Sequence, residues 1–515
     1  MAKLLSNEQS HLLARLSFAL CTCVLLMSLL FLTIFIVFKG SYFFWPMHIY
    51  QITTDYPNAQ SKQERRFELT PLSLPELSTS INQRLSAQYR DTPENQPTVA
   101  VTTMNEVYQI TLSSGDTKLG YFVEAQHPKA QLQAQSLKET LASMQVKVDI
   151  LAAQQQTVNQ QLTPLHRAIA ELNQKRVALN APARRALNQA FLRLDTQAQM
   201  LNEELRAYAL VFENASGQPF NVYLQDIAYL IQPNKMTLFE KLDYALARIS
   251  QFLTESPKQA ATNGGVFPAL FGTVLMVIIM AIVVAPFGAL AAIYLHEYAP
   301  DNNTTASLRI CISNMAGVPS VVYGVFGLGF FVYTLGGNLD RLFYADSLPS
   351  PTFGTPGLIW AALTMALLTL PVVIVATEEG LRRVPKGLRS GSYALGATKW
   401  ETIVKTVLPI ASPGIMTGVI LAIARAAGEV APLILVGAVK YAPTLPVDAN
   451  FPFVHLERQF MHLGAFIYDG AFYNQTNTQG SSMMFASCLL LLIIVFSLNI
   501  VAIILRQKLM NRYTA

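Results

Sequence analysis

Six uninterrupted apolar runs dominate this chain: residues 16–38, 266–294, 310–335, 358–376, 414–439 and 483–505. Each reaches the ~18–20 residues a helix needs to cross a bilayer, and no soluble core could enclose six of them. Charged residues make up 13% of the 515, against roughly 25% in soluble domains. Mean hydropathy is +0.33. The pattern predicts a membrane all-α protein with six transmembrane helices and excludes a cytosolic enzyme. The first run is flanked by Arg15 and Lys39, exceeds a signal-peptide core, and is followed by Gly40-Ser41-Tyr42-Phe43-Phe44-Trp45 with no small-residue cleavage site. It reads as a retained anchor with an aromatic belt.

Basic residues orient the chain. The terminal tails and loops 295–309 and 377–413 hold twelve: Lys3, Arg15, Arg309, Arg382, Arg383, Lys386, Arg389, Lys399, Lys405, Arg506, Lys508 and Arg512. The two short loops of the other side hold Arg341, Lys440 and Arg458. The positive-inside rule then places both termini in the cytoplasm of a multi-pass inner-membrane protein. The expected division is a tail and first span over 1–39, a periplasmic insertion over 40–262, a five-span core over 263–505, and a tail over 506–515. The net charge of +5 is too small to suggest nucleic acid. Cys21, Cys23, Cys311 and Cys488 all fall in apolar runs, so the insertion has no disulfide framework.

Within the insertion, residues 40–95 resist assignment. Residues 98–124 alternate and are β-branched, with Ser113-Ser114-Gly115-Asp116 as the turn of a hairpin between 107–112 and 119–123. A further strand is expected over 221–231, completing a small β region. Residues 130–212 carry a heptad pattern. Leu137, Leu141, Met144, Val148, Leu151, Val158, Leu162, Leu165, Ile169, Leu172 and Leu179 follow 4-3 spacing, with Gln155 and Arg176 in two slots. The spacing restarts after Asn180-Ala181-Pro182 through Leu187, Phe191, Leu194, Ala198, Leu201, Leu205, Tyr208 and Phe212. This predicts an antiparallel coiled-coil hairpin, its first arm broken at Thr163-Pro164. A docking arm and a passive spacer both fit it. An amphipathic helix is expected over 237–254, lying on the membrane surface.

Several chemistries are missing. No G-x-x-x-x-G-K-[ST] is present, so the chain holds no nucleotide by a P-loop. The seven histidines are scattered and none pairs at i, i+4 with a glutamate or another histidine, so neither a metal site nor a catalytic triad is readable. Energy must come from a partner or an ion gradient.

Residues 378–409 do carry information. Ser390-Gly391-Ser392, then Gly396-Ala397, Trp400 and Leu408-Pro409 stand at the spacing E-A-A, three residues, Gly, nine residues, I-x-L-P. Two short helices around a glycine turn make a compact basic knob. The segment resembles the coupling loop of type I ABC-importer permeases, with serines and a glycine in the E-A-A slots and Thr406 for the isoleucine. The resemblance implies that Ser390, Gly391, Ser392, Gly396, Ala397, Trp400, Leu408 and Pro409 dock a cytoplasmic ATPase subunit.

Arg425 and Glu429 stand at i, i+4 in the fifth apolar run. Each costs roughly 2.5–3.5 kcal/mol at a helix centre, so both should face the bundle or a wet path. An arginine fork suits phosphate-like oxygens and keeps its proton. A substrate-pathway pair and a self-satisfied staple both fit. Arg425-Ala-Ala-Gly-Glu429, Gly264–Thr273, Glu297-Tyr-Ala299 and Gly317-Val-Pro-Ser-Val-Val-Tyr-Gly324 resemble, more narrowly, the PstA-type permeases of phosphate importers. That implies the type I permease fold, a second homologous permease subunit, two ATP-binding cassette subunits and a periplasmic phosphate-binding protein. It also implies that ATP-Mg is used by the partner ATPase, with no cofactor on this chain. Permeases for sulfate, molybdate or phosphonate are the alternative, and a membrane-anchored sensor using the coiled coil is a further one.

Overall fold

The computed structural model describes residues 7–55, 63–70, 72–88, 97–114, 116–127, 130–132, 137–174, 181–258, 263–345, 349–442, 444–449, 451–473 and 478–514. The chain forms two units, Met1–Phe44 with Arg248–Ala515, and Trp45–Ala247. It opens with α1 (Asn7–Ser41).

In the unit Trp45–Ala247, β1 (His48–Asp55) is paired antiparallel on one side with β2 (Gln63–Thr70) and on the other with β3 (Thr98–Thr103). β1, β2 and α2 (Leu74–Gln88) lie in the stretch that resisted assignment, and Ile49, Tyr50, Ile52 and Leu77 are among their buried residues. Thr98–Thr103 therefore does not belong to the expected hairpin. That hairpin is β4 (Val107–Leu112) against β5 (Thr117–His127), with Val107 opposite Tyr121; Gly115 of its turn lies outside the described residues. β5 also pairs with β6 (Ala130–Leu132) and β7 (Ala209–Glu213).

The single strand expected over 221–231 is in fact two. β8 (Pro219–Tyr223) flanks β7 and β9 (Ile227–Ile231) flanks β4, so the two are opposite edges of one sheet. The buried Leu224 turns the chain between them, its N–H donating to the Tyr208 carbonyl at 2.9 Å. Asn234 ties this sheet to the first: its amide donates to the carbonyls of Ile49 and Met104, each at 2.8 Å.

Two long helices, α3 (Leu137–Gln174) and α4 (Pro182–Arg206), pack together. Met144 and Val148 share a cluster with Leu205, while the His166 and Phe191 rings meet at 4.8 Å, so the helices run in opposite directions. Arg176, Leu179 and Asn180 of the expected repeat and turn lie outside the described residues. The expected break at Thr163-Pro164 does not occur. Proline removes one backbone donor, yet α3 continues through it, and the Thr163 hydroxyl donates to the Asn159 carbonyl at 3.0 Å. Tyr208 and Phe212 are not coiled-coil positions either; they follow α4, and Phe212 on β7 is fully buried beside Ile110 and Leu210.

The other unit contains six helices long and apolar enough to cross a membrane among the described residues: Arg15–Ser41, Phe267–Tyr298, Ser320–Phe343, Leu358–Arg382, Lys399–Gly428 and Ser482–Lys508. α5 (Leu238–Thr254) leads into it, followed by the short pair β10 (Pro257–Lys258) and β11 (Asn263–Gly264). α6 (Phe267–Ile293) ends in a wide π turn over Tyr294–Tyr298.

The third run does not form one helix over 310–335. α7 (Asn303–Met315), capped by the Asn302 side chain, stops before Gly317-Val318-Pro319, and a new helix starts as α8 (Ser320–Phe326) and runs on to the end of α9 (Gly337–Phe343). Pro319 has no N–H to continue a helix and pushes Val318 out of helical conformation. The glycines of this motif are therefore partly a linker and partly, at Gly324, a contact: a methyl there would stand 2.7 Å from the Pro432 Cα.

α10 (Leu358–Arg382) is the central helix, packed on α6 and α13 (Leu408–Gly428). Its Ala361, Met365 and Val373 share a cluster with Met276, Met280 and Ala426. Gly380 and Gly414 let α10 and α13 touch through backbone: a methyl on Gly414 would stand 2.5 Å from the Gly380 Cα. Between them lie α11 (Lys386–Ala394) and α12 (Lys399–Thr402), the latter continuous with α13 through Ile403–Val407.

The fifth run also breaks, at Glu429-Val430, before α14 (Ala431–Val436). Gly428 and Pro432 explain the stop. The spanning helix begins well before Gly414, at Lys399. β12 (Ala438–Val439) and β13 (Phe460–Met461) pair in parallel, and α15 (Leu463–Tyr473) and α16 (Thr478–Thr514) complete the unit.

Candidate functional site: a charged pair at a broken helix and a basic knob

Arg425 occupies the last turn of α13, and Glu429 is the first residue past it, in extended conformation (φ −81°, ψ 134°). Arg425 Nε lies 3.4 Å from Glu429 Oε1. Both side chains keep access to the surroundings, at 32% and 25% exposure, while Ala426 and Ala427 between them are fully buried. The pair thus faces away from the α6–α10 core, over the mouth of the helix break. A cation beside the unpaired carbonyls of a helix C-terminus is favourably placed. Tyr323 of α8 stands within electrostatic reach of Arg425, its hydroxyl donating to the Met315 carbonyl at 2.8 Å.

The knob is built by α11, a turn and α12. Gly396 takes φ +85°, a left-handed conformation that costs side-chain-bearing residues about 1–2 kcal/mol. Thr398 and Glu401 form a reciprocal capping box that starts α12. The Ser392 and Thr402 hydroxyls meet at 2.9 Å and hold the two short helices together. Ser390, Gly391, Gly396 and Trp400 are exposed, Ser392 and Ala397 intermediate, and Leu408 and Pro409 half-buried at the start of α13. Leu395, at 91%, and Trp400, at 60%, give the knob an apolar tip.

What the sequence did not reveal is how the knob is anchored. Arg389 of α11 donates to Glu297 at 2.9 Å and to the Leu381 carbonyl at 3.0 Å, and His296 Nδ1 lies 3.0 Å from the same carboxylate. Arg309 of α7 donates to Glu378 at 2.9 Å and to the Leu295 carbonyl at 2.8 Å. These pairs join the end of α10 and the turn after α6 to α11 and to the middle of α7. Only the motif Glu297-Tyr-Ala299 hinted at this. The eight knob residues cluster together; Arg425 and Glu429 form a separate site, about 25 Å from Leu408 along α13 at 1.5 Å per residue.

Two acid–base groupings elsewhere were also unread. His455 lies 3.1 Å from Asp448 and 3.0 Å from Glu457, and Arg458 donates to Asp448 at 2.7 Å. His462 is wholly buried, its Nε2 without a hydrogen-bond partner among the described residues, and burial pushes its pKa down to about 4. Among the described residues no group of three or more His, Cys, Asp or Glu side chains is placed to hold a metal ion.

Residues 285–513 match the family model "Binding-protein-dependent transport system inner membrane component". The phosphate transport system permease protein PstA 1 of Mycobacterium tuberculosis (strain CDC 1551 / Oshkosh) is 36% identical over 253 residues, 48% of this chain and 72% of that protein. The chain belongs to the PstA-type ABC permeases. PstA of Yersinia pestis is 30% identical over 261 residues, 50% of this chain and 78% of that protein. Among solved structures, the inward-facing MetNI methionine ABC transporter aligns at 18% identity and a TM-score of 0.35, covering 47% of this chain and 94% of that one. As a PstA-type permease the chain is a non-catalytic, multi-pass subunit of the inner membrane.

Proposed function

We propose that this permease forms half of the translocation path of an ATP-driven importer of inorganic phosphate. The observation that carries the reading is the 36% identity to a phosphate-transport permease across 72% of that protein's length. A second homologous permease forms the other half of the path. A periplasmic phosphate-binding protein delivers the anion, two ATP-binding cassette subunits use ATP-Mg, and lipid surrounds the six spans. Both termini and the knob are cytoplasmic, and residues 40–262 are periplasmic, with α3 and α4 as a coiled-coil hairpin.

Arg425 is the counter-charge for the anion. Its fork donates to phosphate oxygens, and Glu429 holds that fork while the site is empty. Ser390, Gly391, Ser392, Gly396, Ala397, Trp400, Leu408 and Pro409 dock the ATPase. Support comes from one mechanical feature: Trp400 and Arg425 lie on a single helical rod, Lys399–Gly428, so a displacement at the knob is carried to the charged pair. The test is uptake of radiolabelled phosphate in cells lacking their own high-affinity importer and carrying the full operon. Native chain should restore uptake, and Arg425→Gln at matched membrane level should remove most of it. An assembled native complex that takes up sulfate or molybdate but not phosphate would move the assignment to another oxyanion. Uptake that survives Arg425→Gln would make the arginine a staple.

A further inference from the structure

A second feature of the spanning unit is not explained by transport. A groove of about 830 Å³ opens between α7, α10, α13 and α16. It exists because α10 and α13 touch through Gly380 and Gly414, with Ala411 beside them, so no side chain fills the hollow next to the crossing. Its depth is apolar, walled by Val372, Val375, Ile410 and Leu421, and the last three expose about half their surface or somewhat less to the surroundings, at 40%, 42% and 51%. Its rim is charged, with Arg383, Arg506 and Glu379. Arg506 Nη1 donates to the Thr417 hydroxyl at 3.4 Å, a long bond, and that hydroxyl itself donates to the Pro413 carbonyl at 2.7 Å. No ion pair involves Arg383 or Arg506 among the described residues, although Glu379 shares the rim.

We propose that this groove holds one phospholipid of the bilayer, its phosphate between Arg383 and Arg506 and an acyl chain along Val375 and Leu421. The inference goes beyond the transport role. Two guanidiniums against one carboxylate leave a net positive rim, and a guanidinium fork matches phosphate oxygens. The position also fits, because Arg383 directly follows α10 and Arg506 lies near the end of the last span, where headgroups lie. A small free anion would satisfy the rim but leave the apolar depth empty. An amphiphile fills both, and the volume is within the ~300–1,000 Å³ of ligand sites.

The complete complex, purified in mild detergent, would be analysed by native mass spectrometry for retained phospholipid. One phospholipid per copy of this chain is expected, falling at least tenfold in Arg383→Gln/Arg506→Gln and in the groove-filling Val375→Trp. A second arm needs no variant: native complex in bilayers doped with a phospholipid carrying a photoreactive acyl chain should give adducts on peptides containing Val375 or Leu421. Absence of retained lipid together with absence of those adducts overturns the proposal. So does displacement of the lipid by millimolar inorganic phosphate, which would make the groove a free-anion site. Cross-linking of Val375→Cys to the second permease would also overturn it, showing that protein covers the groove. None of these readouts uses transport, so a failure here is distinct from a failure of phosphate uptake.

Discussion

The Arg389 guanidinium donates to the Glu297 carboxylate at 2.9 Å, joining residues 92 positions apart in the chain. The two side chains are 16% and 8% exposed, so the contact is largely shielded from water. It binds α11, the first half of the knob, to the turn that ends α6. A load on the knob is thereby shared with a second spanning helix as well as with α13.

Removing one partner of a buried ion pair typically costs about 3–5 kcal/mol, because the other charge is left stranded. Arg389→Ala and Glu297→Gln should each loosen the knob while the six spans still insert. The expected outcome is a severalfold drop in ATPase subunit co-purified with the chain at unchanged membrane level, read by quantitative immunoblot. Unchanged ATPase recovery in both variants would contradict this anchoring.

The knob's local devices predict smaller effects. Thr398→Ala removes the side-chain half of the capping box and should cost about 1 kcal/mol of helix stability. Gly396→Ala meets no neighbour but must adopt φ +85°, costing about 1–2 kcal/mol. Hydrogen exchange over residues 386–402 should accelerate in both variants relative to native. Gly391→Ala, in an open helical position, should instead slow exchange, because alanine is favoured over glycine inside a helix by about 1 kcal/mol.

The α10–α13 crossing predicts a contrast between two glycines of one helix. Gly414→Val would drive its side chain into the Gly380 backbone, and the helices would have to separate. Gly428→Ala meets nothing within 4 Å. In detergent, Gly414→Val should lower the thermal unfolding midpoint by several degrees or abolish accumulation. Gly428→Ala should stay close to native.

His462 predicts a pH dependence of stability. Its native pKa is held at about 4 by burial, against an ordinary value of 6.5. Above pH 6.5 both folded and unfolded states carry a neutral ring, and stability is fully present. Between 6.5 and 4 only the unfolded state takes up the proton, so stability falls as pH falls through that window. Asparagine can still accept from the Gly464 N–H that His462 Nδ1 now accepts at 3.1 Å, and it does not titrate. The unfolding midpoint of His462→Asn should therefore depend less on pH between 6.5 and 4 than that of native protein. Parallel curves for the two would rule out His462 as the titrating group.

The membrane class, the six long apolar segments and the knob are all legible in the order of residues alone. Apolar length is read residue by residue, and a loop motif such as Gly396 to Pro409 is local. The charged pair was also legible, because i, i+4 spacing brings Arg425 and Glu429 to one side whether or not the helix continues. Tertiary structure decided where helices stop. Hydropathy averaged over a span does not register the breaks at Gly317–Pro319 and Glu429-Val430, since both lie inside stretches that are apolar on average. It also decided that β8 and β9 separate to opposite edges of a sheet, and that α3 passes through Pro164. Packing on neighbours outweighs the local signal of a turn or a proline. The ion pairs Arg389–Glu297 and Arg309–Glu378 depend on helix ends distant in the chain arriving together, and no periodicity encodes that.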